Sequence, residues 1–553
     1  MKIAVAQLQP RVGEFERNRE NILKAYERAE ASGAHLLLTP EMSLVGYPAL
    51  DLWMRPEFLS QSVESIEWLR TRVKGKCALL IGHVGGEWPR GLQNEVSVIY
   101  QGEVIFTQAK TLLPTYDIYD EARYFRSGAR LSLLDLGGLK IGVGICEDFW
   151  GHDPNLPGLG YTRDFVSELL DAKPELLLSL SASPYELDKR RRRHRVHSEV
   201  ARRLGAPLIY TNQVGSVDEV IFDGGSFALS ADGEVLHEGL RFQEDFWVME
   251  VPSLQVVHQV PARESALQVL DSWESDLHQA LVLGIREYFR ATGFRQAVLG
   301  LSGGIDSALT AVLLCEALGN ENVLGVAMPS QFSSNHSIED ATALAQGLGI
   351  RFRVEPIKFS HVQLSKTLGE PYQGLSGIAL ENLQSRLRGL FLMTLANQES
   401  ALVVTTGNKS ELAAGYCTIY GDMVGAIAPL GDLYKTQVFA LSRYLTLQRK
   451  APIPESTLRK PPSAELRPGQ TDQDTLPTYE NLDRALCGYL EEGRAVEDLI
   501  AEVVDPLERD KVRKFFSLFQ ISEFKRRQAA PVLRVSSKAF GWGRRVPIMG
   551  KKF

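Results

Sequence analysis

At 553 residues the chain is too long for one compact core, and two or three domains are expected. Hydrophobic residues make up 44% and charged residues 23%, as in an ordinary globular protein, and the net charge of −7 argues against a dedicated nucleic-acid binder. The five cysteines (Cys77, Cys146, Cys315, Cys417 and Cys487) are dispersed and never form a Cys-x-x-Cys pair, which excludes a disulfide framework or zinc site of that kind and favours a reducing compartment. MKIAVAQLQP starts a strand at once without a signal region, and no run approaches the roughly 18 apolar residues needed to span a bilayer. A cytoplasmic, multidomain protein is expected.

In chain order, the first half predicts a strand at Lys2–Leu8, an amphipathic helix at Asn18–Ser32, and strands at His35–Glu41 and Ala78–Val84. Strand pairs with Gly turns follow in VSVIYQGEVIF and LSLLDLGGLKIGVGIC. A buried strand LLLSLSAS, a helix from about Glu186, the strand PLIYTNQV and the hairpin SFALSADGEVLHE complete it. This grammar implies mixed sheets with helices outside, of α/β or α+β type. Pro252 and Pro261 punctuate a stretch of weak periodicity, giving domain 1–252, linker 253–270 and domain 271–553.

The second half opens with a helix in SDLHQALVLGIREYFR. Strands at Ala297–Leu301, Val323–Ser330, Phe352–Ile357 and Ala401–Thr406 then alternate with helical patterns. That series predicts a doubly wound parallel sheet, which binds ligands at the carboxyl ends of its strands. Ala451–Leu476, rich in Pro and polar residues, reads as a mobile loop.

Two constellations carry chemistry. Glu41, Lys110 and Cys146 each follow or end an apolar strand, so all three can meet at a sheet edge. In an amidase, Glu41 takes the proton of Cys146, the thiolate attacks a carboxamide, and Lys110 stabilises the oxyanion and keeps the thiol pKa low. In LGLSGGIDSALTAVLL, Ser302-Gly303-Gly304 turns the chain from a strand into a helix. Adjacent glycines and a helix N-terminus suit phosphate. Asp306 in that first turn repels a bare phosphate and makes sense with Mg²⁺ between them. Alone, the motif reads equally well as a turn and helix cap without a ligand.

The neighbours supply context. Ser302–Ser307 resembles the SGGxDS loop of the ATP pyrophosphatase superfamily. GNKSE (Gly407–Glu411), Tyr420-Gly421-Asp422, PLGDLYK ending at Lys435, ENLQSRLR and the C-terminal SEFKRRQAAPVLRVSSKAFGWGRRVPI resemble the synthetase domain of the NAD synthetase family. PEMSLVGYP, AKTLLPTYDIYDEARYF and GICEDFW are similar to the Glu-Lys-Cys landmarks of the nitrilase superfamily, and more closely to the glutaminase domain of glutamine-dependent NAD synthetases. The family's Leu-Pro-Asn-Tyr reads Leu-Pro-Thr-Tyr here, at Thr115.

The resemblance implies a nitrilase-like αββα sandwich followed by a Rossmann-like ATP pyrophosphatase domain. It implies glutamine contacts at Tyr47, Tyr116, Glu121, Ser183 and Lys189. ATP binding falls to Gly300, Leu301, Ser302, Gly303, Gly304, Ile305, Asp306, Ser307 and Thr406, and Mg²⁺ to Asp306 and Glu411. The dinucleotide falls to Asn382, Arg386, Glu411, Asp422, Lys435 and Lys525. Asp422 and Lys435 also read as a surface pair of little worth. In the basic tail, contact of Lys525 or Arg526 with ligand and a solvated face are both open.

The reaction implied is amidation of deamido-NAD through an acyl-adenylate, with glutamine as nitrogen donor and homo-oligomers as the assembly. Ammonia is mostly ammonium at neutral pH, so a dry internal route between the two sites is expected. KRRRRHR (Lys189–Arg195) spreads around a predicted helix and reads as a mostly solvated face or an interface. Competing readings are a tRNA-thiolating pyrophosphatase, disfavoured by the charge and by the lack of a paired cysteine, amidation of a different acid, and a catalytically dead regulatory first half.

Overall fold

The computed structural model describes residues 1–87, 91–151, 153, 160–251, 255–259, 272–370, 374–467 and 469–549. It divides into two compact units, Met1–Asp271 and Ser272–Phe553. Among the described residues no helix is long and apolar enough to cross a membrane.

The first unit contains β1 (Lys2–Gln7), α1 (Phe15–Ala31), β2 (Leu36–Leu38), α2 (Pro56–Arg70), β3 (Ala78–Glu87), β4 (Gly91–Tyr100) and β5 (Glu103–Ala109). There follow β6 (Leu133–Leu136), β7 (Leu139–Ile145), α3 (Phe165–Ala172), β8 (Leu176–Ser181), α4 (Lys189–Leu204) and β9 (Leu208–Asn212). The hairpin β10 (Val214–Val217) and β11 (Val220–Asp223), then β12 (Phe227–Leu229), β13 (Val235–Glu238), β14 (Asp245–Glu250) and β15 (Gln255–Gln259), complete it. Seven strands form one sheet in the order β15-β14-β1-β2-β3-β4-β5, and six form another, β13-β12-β9-β8-β7-β6.

The two-residue strand period explains the layering. Leu176, Leu178 and Leu180 of β8 share one core with Ile3, Val5, Leu36, Leu38, Leu80 and Val96 of the other sheet. Leu177, between them in sequence, packs instead with Phe165 and Leu169 of α3 and Val200 of α4. The expected αββα sandwich is therefore present. The strand expected over His35–Glu41 stops at Leu38. Gly82 explains the turn that follows: a Cβ there would lie 2.4 Å from the Met42 nitrogen, so only glycine lets the Glu41 turn rest on β3. Gln255–Gln259, placed in the expected linker, is instead an edge strand paired antiparallel with β14. The rest of 253–270, apart from Gln255–Gln259, lies outside the described residues.

The second unit contains α5 (Trp273–Thr292), β16 (Gln296–Gly300), α6 (Ile305–Leu318), β17 (Val323–Ala327), α7 (Asn335–Leu348) and β18 (Arg351–Val354). Then come α8 (Lys358–Gly369), α9 (Gly377–Glu399), β19 (Ala401–Val403), α10 (Lys409–Ala414) and α11 (Lys435–Arg449). The sheet runs β18-β17-β16-β19 with every pair parallel. Strand order reverses between β16 and β19, which opens the crevice where such sheets bind ligands. The expected loop Ala451–Leu476 contains a helix, Glu455–Arg459, and a tied turn. Glu465 there accepts hydrogen bonds from Ser334 Oγ (3.0 Å) and Ser337 Oγ (2.7 Å) at the start of α7.

Candidate active sites

In the first unit, Glu41, Lys110 and Cys146 come together as expected, with Glu121 as a fourth member. Lys110 Nζ lies 2.9 Å from Glu41 Oε1 and 2.8 Å from Glu121 Oε1, and all three side chains are 1% exposed. Each carboxylate is held from behind. Asn94 Nδ2 and the Ala182 amide donate to Glu41 at 2.7 Å, and the Tyr47 hydroxyl donates to Glu121 at 2.8 Å. Burial works against the Lys110 ammonium, but Glu121 and Glu41 outweigh it and hold the amine protonated, well above the ordinary lysine range. Burial pushes the Glu121 carboxyl up to about 7, with Lys110 pulling back.

Cys146 directly follows β7 with φ of +46°, a left-handed conformation uncommon for a side chain with a Cβ. Its turn is anchored by Asp148, which accepts from the amides of Ile145 (2.9 Å), Thr111 (2.9 Å) and Leu112 (2.8 Å). Asp148 thereby ties the cysteine turn to the segment just after Lys110. The expectation that Lys110 keeps the thiol pKa low is corrected. Burial and the Glu41 charge push the thiol up, and Lys110 only partly opposes them.

Tyr116 donates to Glu147 Oε2 at 3.2 Å, beside Cys146, and Lys189 acts on the same carboxylate. Thr115, the departure from the family pattern, donates to the Leu113 carbonyl at 3.2 Å and so ties its own turn. Ser183 is buried, its amide bonded to Asn212 Oδ1 at 2.8 Å. The basic run is corrected: Arg193 is fully buried on Asp223 (3.1 Å), Arg190 pairs with Glu238 (2.7 Å) and Arg192 with Asp153 (2.9 Å). Their acidic partners lie far apart in sequence, so helical periodicity alone gave no sign of the pairing.

In the second unit, a cavity of about 290 Å³ sits at the reversal of strand order. Gly300, Leu301, Ser302, Gly304, Ile305, Asp306, Ser307 and Thr406 line it. Gly303 takes φ of +77°, and a Cβ there would meet the Ser337 carbonyl oxygen at 2.3 Å. The loop is braced internally, since Ser307 Oγ donates to the Gly304 carbonyl at 2.9 Å and Gly304 N to Ser302 Oγ at 3.2 Å.

Asp306 and Glu411 converge on one cation, the Lys435 ammonium, at 2.5 and 3.2 Å. Lys435 is therefore not a partner of Asp422 and, at 2% exposed, not a surface residue. Burial pushes Glu411 up to about 7, opposed by Lys435 and reinforced by Asp306. Two hard carboxylates already gathered around a positive charge fit a Mg²⁺ site by donor chemistry. Asp422 lines the cavity and accepts from the Thr418 amide at 2.7 Å, and Asn382 accepts from Thr418 Oγ1 at 2.8 Å. Arg386 is exposed and bonds the Ile419 carbonyl at 3.3 Å. Lys525 Nζ donates to the carbonyls of Gly415 (2.7 Å) and Cys417 (2.8 Å). Arg526 is buried on Glu523 and on backbone carbonyls, so of the two tail cations it holds the fold. The sequence reading missed Asn94, Asp148 and Asn408, whose work is to hold other side chains and amides in place. It also missed Arg388, which lines the cavity two residues after Arg386 and bonds the Met328 carbonyl at 3.1 Å.

Comparison with known proteins places each unit in a family. The carbon-nitrogen hydrolase family matches residues 2–153 and the NAD synthase family residues 277–529. A glutamine-dependent NAD(+) synthetase of Synechocystis is 45% identical, with 99% of this chain and 98% of that protein covered. One of Thermotoga maritima is 38% identical over 100% of this chain and 99% of that protein. A solved glutamine-dependent NAD(+) synthetase from Acinetobacter baumannii, in complex with ADP, superposes with a TM-score of 0.75 at 36% identity, covering 99% and 98% of the two chains. A structure from Cytophaga hutchinsonii, at TM-score 0.82 and 20% identity over 100% and 98%, shares the fold. The chain belongs to the glutamine-dependent NAD(+) synthetase family.

Proposed function

We propose that the first unit releases ammonia from glutamine and the second uses it to amidate deamido-NAD at the expense of ATP. The observation that carries this is the pairing, on one chain, of Cys146 with the buried Glu41–Lys110–Glu121 cluster and of the Asp306–Glu411 cluster with a loop suited to pyrophosphate. Glutamine held near Tyr47, Tyr116, Glu121, Ser183 and Lys189 loses its amide to Cys146. As the sulfur attacks, its proton passes to Glu41, and Lys110 faces the oxyanion. Glu41 returns the proton to the departing ammonia, then takes one from the water that cleaves the thioester to glutamate and passes it to the departing Cys146 sulfur.

In the second unit the carboxylate of deamido-NAD attacks the α-phosphorus of ATP, pyrophosphate leaves into the Ser302–Ser307 loop, and ammonia displaces AMP from the acyl-adenylate. The residues act mainly by positioning and charge neutralisation. Asp306 and Glu411 would hold Mg²⁺, which neutralises charge on the phosphates. Thr406 serves ATP. Asn382, Arg386, Glu411, Asp422, Lys435 and Lys525 serve the dinucleotide side. Substrates are small molecules rather than nucleic acid, and the dispersed cysteines suit the cytoplasm. A homo-oligomer paired through synthetase units is supported by exposed Phe359, Val362 and Leu368 on α8 and Ile378, Leu390 and Met393 on α9.

The test is NAD formation from deamido-NAD, ATP and Mg²⁺ with either glutamine or ammonium. Wild type is expected to use both nitrogen sources, and Cys146→Ala only ammonium. Ammonia released from glutamine without NAD from either source would assign a different acid acceptor. NAD formed per glutamine consumed measures the coupling, and a ratio far below one at saturating substrate would exclude protected transfer.

A further inference from the structure

Lys435 sits where a lysine is least at home. It is the first residue of α11, fifteen residues long, whose N-terminus carries partial positive charge. Its backbone is fixed there, with the amide donating to Ser410 Oγ at 3.0 Å while Ser410 Oγ donates to Asp483 Oδ1 at 2.5 Å. Its side chain is 2% exposed. Burying a cation at a helix N-terminus is unfavourable unless strong partners compensate, and the partners are the two carboxylates assigned to the divalent cation.

Every oxygen of those carboxylates is engaged. Asp306 Oδ2 takes Lys435 Nζ at 2.5 Å, and Asp306 Oδ1 takes Asn408 Nδ2 at 2.8 Å. Glu411 Oε1 takes Lys435 Nζ at 3.2 Å, and Glu411 Oε2 takes the Asn408 amide at 3.3 Å. Asn408, fully buried, is itself fixed, because its Oδ1 accepts the Glu411 amide at 3.0 Å. Asp472, which also lines the cavity, adds a further carboxylate acting on both Lys435 and Glu411, so Lys435 is the cation that offsets three acidic groups. The carboxylates are nevertheless not sealed: Asp306 is 18% and Glu411 21% exposed, and both border the cavity.

We propose that Lys435 is a built-in stand-in cation, which binds the Asp306–Glu411 pair and so opposes divalent-cation binding until nucleotide is present. This rests on the reading that Asp306 and Glu411 hold the metal. The divalent ion must displace an ammonium already bound to both carboxylates, and the freed ammonium then needs an anion in the cavity. A nucleotide brings such anions and the metal alone does not. Lys435 is thus a positioning residue that couples metal entry to nucleotide entry.

The test is Mn²⁺ binding to the full chain without nucleotide, followed by electron paramagnetic resonance and by thermal shift. Lys435→Met is expected to bind one Mn²⁺ at least tenfold tighter than wild type, and Asp306→Asn in that background is expected to abolish the gain. Mn²⁺ alone should raise the Tm of Lys435→Met and leave the wild type nearly unchanged. Should Lys435→Met fail to fold, Lys435→Gln keeps a hydrogen-bond donor without the charge and gives the same readout. Equal or weaker Mn²⁺ binding in a folded Lys435 variant overturns the stand-in. A parallel arm separates the two readings, using wild type with Mn²⁺ and α,β-methylene-ATP. Asp306-dependent Mn²⁺ binding there, without a gain in the variant, removes only the stand-in, whereas no Asp306-dependent binding in either arm removes the metal assignment with it.

Discussion

Both sites contain a lysine bridging two carboxylates, and the contrast between them lies in enclosure. Lys110, Glu41 and Glu121 are each 1% exposed, and Asn94, Ala182 and Tyr47 hold the carboxylates from outside. The ammonium there is enclosed with both of its carboxylates, so its charge is fixed in place. Lys435 is as buried as Lys110, but its carboxylates open onto a cavity. The same ion-pair arrangement can therefore be fixed in one place and exchangeable in the other, according to what its acidic partners face. A third lysine supplies the limiting case. Lys409 lies 3.0 Å from Asp432 and 3.1 Å from Glu491, with Lys409 and Asp432 both 0% exposed, and it ties the start of α10 to the C-terminal segment through Ser536. None of these three residues lines the cavity, which marks the cluster as structural.

The strongest way to break the comparison is to remove the fixed charge. Lys110→Met is expected to lower glutamine-driven turnover on the order of 10³-fold, as loss of an oxyanion donor does. Ammonium-driven NAD formation should stay within about threefold, since the substitution lies in the other unit. Steady-state rates with the two nitrogen sources decide it. Glutaminase activity within tenfold of wild type would mean that Lys110 only balances Glu41 and Glu121.

The structural cluster sharpens the contrast through stability rather than rate. Lys409→Met leaves Asp432 buried without its counter-ion, held only by the Val535 and Ser536 amides and the Ser536 hydroxyl, which is expected to cost about 3 kcal/mol. Urea unfolding should show a lower midpoint for the transition of the second unit. Mn²⁺ should not restore it, whereas the Lys435 variants should be rescued by Mn²⁺. Rescue of Lys409→Met by Mn²⁺ would erase the distinction between the two lysines.

These contrasts also mark what the sequence made legible. Glu41, Lys110, Cys146 and the Ser302–Ser307 loop were readable because each follows an apolar strand, so a two-residue period places them at a sheet end. The pairing of Asp306 with Glu411 came from the family resemblance, since the residues alone marked only Asp306, in the first turn of its helix. What stayed hidden was pairing across long sequence distance: Lys435 with Asp306, Arg193 with Asp223, and Asn94 behind Glu41. Local periodicity says which face a residue takes, not which charge it meets there. The thiol pKa was misread for a related reason. A lysine near a cysteine suggests a thiolate, but the balance depends on full burial and on three carboxylates, Glu41, Glu147 and Glu121.

Gly303 tests how tightly the second site is built around its loop. Gly303→Ala must keep φ near +77° and also push away the Ser337 carbonyl, which lies 2.3 Å from the new Cβ position. Because that contact is backbone, relief requires the loop or α7 to move. Together these are expected to cost about 2 kcal/mol, seen as a roughly 10- to 30-fold rise in the ATP concentration for half-saturation. Ammonia release from glutamine should be unchanged. An ATP requirement within threefold of wild type would show that the cavity tolerates a shifted loop.

The smallest expected effect concerns protons at the fixed lysine. The Glu121 carboxyl, raised by burial to about 7, takes up its proton as pH falls through that value. Once neutral, it no longer shares the Lys110 charge, and Glu41 becomes the lone counter-ion. An ion-paired Glu41 is a weaker base toward Cys146, so kcat/KM for glutamine hydrolysis should decline on the acid side of about pH 7. Between pH 8 and pH 6 the ionised fraction of a group with that pKa falls about tenfold, which sets the size of the decline. Glu121→Gln holds the site in its neutral form at every pH. It should lower kcat/KM at pH 8 by about tenfold and flatten the profile between pH 6 and pH 8. A variant that keeps the wild-type acid limb would assign the titration to another group and leave Lys110 dependent on Glu41 alone.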